Sequence, residues 1–102
     1  MKPDRHTLQL CHQIAETLHL VFLDQDDDDL RDLMVLEVIP VAGAGTLLVR
    51  VAYPAGRPDD LARVQTKLTG ALKMLRAEVA QSITRRKTPE LFFQVSAQAA
   101  GY

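Results

Sequence analysis

Seven cations after residue 60 are the residues of this chain best suited to chemistry: Arg63, Lys67, Lys73, Arg76, Arg85, Arg86 and Lys87. The chemistry is recognition of a polyanion. Guanidinium and ammonium groups meet phosphate oxygens through charge-assisted hydrogen bonds, and a row of them can track a backbone. The densest piece is RRKTPELFFQV, residues 85–95, where three cations run into Thr88-Pro89-Glu90 before an apolar run begins. With a helical stripe centred near Leu68 and Leu75, a turn of roughly 100° per residue points Arg63, Lys67 and Lys73 away from the core and puts Arg76 on the stripe's flank. Arg85, Arg86 and Lys87 continue from the same helix's end. Cations there also suit the negative helix terminus, at roughly 0.3–1 kcal/mol each. That local role and ligand binding are compatible.

Other reactive residue types lead nowhere comparable. His12 and His19 share a helix face but stand roughly 10 Å apart, too far to hold one metal ion. His6, His12 and His19 are read as exposed or stem-packed side chains. Cys11 falls on an apolar stripe and reads as a small buried hydrophobe. As the sole cysteine it allows neither an internal disulfide nor a cysteine zinc site within one chain. The acidic run Asp24-Gln25-Asp26-Asp27-Asp28-Asp29 lacks the glycine and terminal glutamate of a calcium loop. It is expected to be a solvated, mobile loop whose Asp26–Asp29 carboxylates are dispensable for folding. Gly43-Ala44-Gly45 precedes a strand, not a helix, and reads as a hairpin turn. No residues assemble a nucleophile, a base and an oxyanion donor, so the sequence reads as a binding module and not an enzyme. No cofactor is expected.

The elements that must position the cations follow from periodicity. Cys11, Ile14, Ala15, Leu18 and Phe22 form one stripe and predict a helix over 5–22. Two strand-like runs, 33–39 and 46–53, flank the turn at 40–45. A hairpin symmetric about Gly43-Ala44 sets Glu37 opposite Arg50, the only charges in either run. That register predicts a core face of Met34, Leu36, Val38, Leu47, Val49 and Val51. It turns Leu33, Val35, Ile39, Leu48 and Phe92 outward, an apolar face that would suit a protein partner. Asp59 or Asp60 can cap a long helical stretch with the stripe Leu61, Val64, Leu68, Leu72, Leu75, Val79 and Ile83. Gly70 inside it predicts a bend or a close contact. Thr88 before Pro89 is biased to extended backbone, and Leu91, Phe93 and Val95 alternate as a third strand. The order is α-β-β-α-α-β: an α+β fold with a three-stranded mixed sheet and helices on one face. The expected core is Leu36, Val38, Val49, Val51, Leu75, Val79 and Phe93.

The bulk properties agree with a single small domain. The chain has 102 residues, 47% hydrophobic and 25% charged, the composition of a soluble globule. No apolar run is long enough to span a bilayer, and the N-terminus leads into an amphipathic segment and not a signal core. The net charge of -1 hides a division. Residues 1–60 hold five Lys/Arg against eleven Asp/Glu, and residues 61–102 hold seven against two. Such a dipolar molecule attracts polyanions on one side and repels them on the other.

The stretch LKMLRAEVAQSITRRKTPELFFQV resembles the C-terminal half of ribosome-binding factor A, a bacterial small-subunit assembly factor. Leu75, Arg76, Pro89, Glu90, Leu91 and Phe93 fall on that family's helix, Pro-Glu-Leu triplet and strand. RHTLQLCHQIAETL is similar to its first helix, and LMVLEV, with Glu37, to its first strand. The resemblance implies one type II KH domain over 1–102. It implies a non-enzymatic, cytoplasmic, monomeric RNA-binding protein whose partners are the small ribosomal subunit and its ribosomal RNA, acting in subunit maturation and rRNA processing. No membrane or small-molecule substrate is implied. The second and third helices and Arg85–Lys87 would contact the RNA. Where the family has an Ala-x-Gly kink, this chain has Ala71-Leu72-Lys73.

Overall fold

The structure, a computed structural model, describes residues 5–41, 45–54, 58–83 and 87–98. Helix α1 spans Arg5–Leu23 and the one-turn helix α2 Asp28–Arg31. Strands β1 (Met34–Pro40) and β2 (Thr46–Pro54) follow. Helix α3 spans Pro58–Ser82 and strand β3 Glu90–Gln98. The sheet order is β1-β2-β3, with β1 antiparallel and β3 parallel to β2. The fold is α+β with a three-stranded mixed sheet, as the alternation of periods predicts.

The two helical stripes and one sheet face make a single hydrophobic cluster. From α1 come Leu10, Cys11, Ile14, Leu18 and Phe22, and from α3 Val64, Leu68, Leu75 and Val79. The sheet contributes Val38, Leu47, Val49, Val51 and Leu91. Phe93 packs against this cluster, its ring edge-on to Phe22 at 6.3 Å between centroids. Each fully buried aliphatic side chain stabilises by roughly 1.5–3 kcal/mol relative to exposure.

The hairpin register holds at its centre and slips at its end. Glu37 pairs with Arg50, Val38 with Val49, Ile39 with Leu48 and Pro40 with Leu47. The Arg50 guanidinium reaches the Glu37 carboxylate at 2.5 Å. Val35, however, pairs with Val51, one residue short of the symmetric register. Leu36 is the extra residue of a bulge, and a bulge reverses which side chains face the core. The expected placements of Leu36 and Met34 are therefore corrected. Both are exposed, at 46% and 37%, while Leu33 is buried and Val35 packs against the core. The outward apolar row reduces to the cross-strand neighbours Ile39, Leu48 and Phe92.

A parallel partner requires a long crossover, and α3 supplies it as one uninterrupted helix of 25 residues. The two helices expected here are thus one. Its start has Pro58 in the first turn, a position where the missing N–H costs nothing. Asp60, a candidate cap, lies inside the helix and pairs with Arg63. The turn before β2 is fixed by Gly45, whose φ of 81° favours glycine, and the Gly45 carbonyl accepts a 2.7 Å bond from the Glu90 amide. The hairpin turn at Gly43-Ala44 lies outside the described residues.

Helix α3 is uninterrupted at Gly70, and no neighbour makes the expected close contact there. A Cβ built there meets no atom within 4 Å. Gly70→Ala should therefore stabilise the fold by about 1 kcal/mol, the helix-propensity difference. In a domain of this size that raises the thermal midpoint by roughly 4–8 °C. A lowered midpoint would show that α3 needs the glycine's freedom.

Candidate nucleic-acid interface

Helix α3 presents its cations on two sides. Lys67 and Arg76 are nine residues apart, which at about 100° per residue places them roughly 180° apart around the helix axis. The first flank, with Arg63 and Lys67, faces the connection between α1 and β1. The second, with Arg76, faces the start of β3.

On the first flank every cation meets a carboxylate. Asp29, only 8% exposed, accepts from Tyr53 Oη at 2.6 Å, from Arg63 Nε at 2.8 Å and Nη2 at 3.2 Å, and from Lys67 Nζ at 2.7 Å. Lys67 also meets Asp27 at 2.8 Å, and Arg63 meets Asp60 at 2.9 Å. Among the described residues, three carboxylates surround these two cations and offset their charge.

The network exists because the acidic run folds. Asp27 caps α2, its Oδ1 accepting from the amides of Asp29 at 2.9 Å and Leu30 at 3.2 Å. Arg31 pairs with Asp28 and donates to the carbonyl of Gln25 at 3.3 Å. The turn delivers Asp29 and Leu30 to the interior. The expectation of a solvated loop with dispensable Asp26–Asp29 carboxylates is thus overturned. Repulsion among the aspartates is outweighed by Arg63, Lys67, the cap and burial of Leu30 and Leu33. Hydrogen bonds from Arg63, then Lys67 and Tyr53, hold the Asp29 carboxyl well below the usual carboxylate range. A hydrogen bond from Lys67 also lowers the Asp27 carboxyl. In return the Asp29 carboxylate pushes the Tyr53 phenol up. A capping aspartate ahead of Leu30 and the i,i+4 pair Arg63/Lys67 were the available signals. The long-range partnership with Tyr53 has none in sequence.

The second flank is held differently. Arg76 donates to the Pro89 and Thr88 carbonyls, each at 3.4 Å, and lies 3.5 Å from the Glu90 carboxylate. Gln65 adds a 3.1 Å bond to the Phe93 carbonyl. Arg76 therefore fastens α3 to the entrance of β3, where Pro89 and Leu91 are buried. Lys73 and Lys87 are exposed and make no ion pair among the described residues. Arg85 and Arg86 lie outside the described residues.

The remaining candidates keep simple roles. His6, His12 and His19 are exposed, and Cys11 is buried. Among the described residues no three His, Cys, Asp or Glu side chains are placed to hold a metal ion. No helix among them is long and apolar enough to cross a membrane.

Neither a protein-family model nor a curated protein sequence matches the chain. Solved structures do. Ribosome-binding factor A from Thermus thermophilus superposes with a TM-score of 0.72 at 22% identity, over 87% of this chain and 94% of that one. A Thermotoga maritima protein, provisionally called a ribosome binding factor A, gives 0.72 at 20% identity, over 92% and 90%. The chain has the ribosome-binding factor A fold. The resemblance seen in the Arg76 to Phe93 segment therefore extends to the architecture, helices and sheet alike. Within that fold, Ala71-Leu72-Lys73 continues α3 without a break.

The Asp29 network generates a direct test. Asp29→Asn should cost about 2 kcal/mol, the scale for hydrogen bonds to a charged group, in denaturant unfolding. The ordinary aspartate value is about 3.9. Because the fold favours the carboxylate, its contribution is complete above about pH 4 and declines as pH falls below that. The parent's thermal midpoint should thus fall more steeply than the variant's in that acid range. Parallel curves would contradict the network's role.

Proposed function

We propose that this chain is a ribosome-binding factor that assists maturation of the small ribosomal subunit and processing of its ribosomal RNA. The observation that carries the proposal is a fold shared over 87% of its length with ribosome-binding factor A of Thermus thermophilus. It acts without catalysis, in the cytoplasm and as a monomer. Binding to an immature site keeps that site from premature use until maturation proceeds.

The contact surface is the β3 side of α3. Lys73 and Lys87 are exposed there, Arg85 and Arg86 stand beside them in sequence, and Arg76 fixes the corner on which they sit. Cations held near a rigid corner lose less freedom on binding than cations on a loose tail. Phosphate contacts supply most of the affinity, and RNA shape supplies the selectivity. Arg63 and Lys67 belong to the same proposed RNA-binding set. Their pairing with Asp27, Asp29 and Asp60 gives them the smaller share of the attraction. A second reading, a protein-interaction domain without RNA binding, has the row Ile39, Leu48 and Phe92 in its favour, with Phe92 60% exposed.

Replacing Arg85, Arg86 and Lys87 together with glutamine should leave the fold intact. Binding to purified immature small subunits at moderate salt should weaken by about tenfold or more, and the salt dependence should flatten by roughly one unit per lost phosphate contact. Unchanged affinity and an unchanged salt slope would remove the cations from the interface and favour the sheet face.

A further inference from the structure

Helices α1 and α3 run antiparallel. Gln13 of α1 reaches the Ser82 carbonyl at the end of α3, while the turn after α1 meets Lys67 near its start. Between them, at the C-terminal end of α1, lies a cleft of about 370 Å³ lined by Leu20, Val21, Asp24, Gln25 and Glu78. Two features set it apart. Leu20 and Leu23, on one side of α1's last turns, are 65% and 53% exposed. One turn before Glu78 on α3, Met74 adds a further 36%-exposed apolar side chain. The cleft's carboxylates also lack a counter-charge. Asp24 and Glu78 make no ion pair among the described residues; Glu16, Asp26 and Asp32 are likewise unpaired, but the cleft that Glu16 lines also holds Arg5.

We propose that this cleft is a docking site for a basic segment of a partner protein, one that presents lysine or arginine beside an apolar anchor. The chemistry selects that partner. An arginine or lysine stem lies along Leu20 while its charged head meets Asp24 and Glu78, so both the apolar and the ionic part of one side chain are satisfied. A nucleic acid is repelled by the same carboxylates. The surface is thus separate from the cationic β3 side of α3 and takes a ligand of opposite charge. It stands whether or not the chain binds RNA.

The test is a titration of the isotope-labelled full chain, followed by NMR, with a short amphipathic lysine–leucine peptide. Two control peptides replace every lysine with glutamate or every leucine with serine. The lysine–leucine peptide should saturably shift the amides of Leu20 to Gln25 and Met74 to Glu78. Asp24→Asn with Glu78→Gln, both surface changes, should weaken it by about tenfold with an unchanged thermal midpoint. Several results overturn the proposal: no binding, equal binding by the variant, equal binding by either control peptide, or shifts centred on Phe92. Shifts of the cleft amides with protein concentration alone would make a second copy the occupant and overturn it equally.

Discussion

The parallel pairing of β2 with β3 is the constraint on which the rest of the molecule turns. An antiparallel partner needs only a tight turn, but a parallel one needs the chain carried back along the whole strand. Helix α3 does this, and its length follows from the journey. A helix so long must be fastened at both ends, and each end uses different chemistry. Asp29 and Asp27 hold Arg63 and Lys67 near the start, and Arg76 grips the Thr88 and Pro89 carbonyls toward the end. Position and charge are linked by this arrangement. The cations that fasten the start are largely neutralised, whereas Lys73 and Lys87 are exposed and make no ion pair among the described residues.

That division reconciles an acidic first half with an RNA-binding reading. Six of the early carboxylates fall in the segment between α1 and β1. Two of them turn inward as structural partners, and Asp24 faces the cleft beside Glu78. The molecule therefore carries its negative and positive surfaces on different sides of the helical layer. Such a dipole orients the protein before contact with a polyanion and keeps its acidic side away.

Much of the architecture was legible because the core is periodic. The stripes of α1 and α3, the Glu37–Arg50 register and the third strand each rest on side chains repeating every two or three to four residues. What escaped was not periodic. The bulge at Leu36 substitutes Leu33 and Val35 for Met34 and Leu36 in the core, and since all four are apolar the pattern cannot distinguish the two registers. The acidic run read as solvated because repulsion among neighbours is visible in sequence, whereas Tyr53, Arg63 and Lys67 arrive from 24, 34 and 38 residues away from Asp29. Of the seven candidate cations, helical angle placed Lys73 in solvent and Arg76 on the flank correctly. It did not show that Arg63 and Lys67 face acids.

The proposed site of action is the immature small ribosomal subunit. Sedimentation of the tagged chain from its own host through a sucrose gradient tests that most directly. The account predicts migration with free, immature small subunits at low salt and release from them as salt rises, because phosphate contacts supply the affinity. Migration at the top of the gradient at every salt concentration, or with fully assembled ribosomes alone, would contradict it.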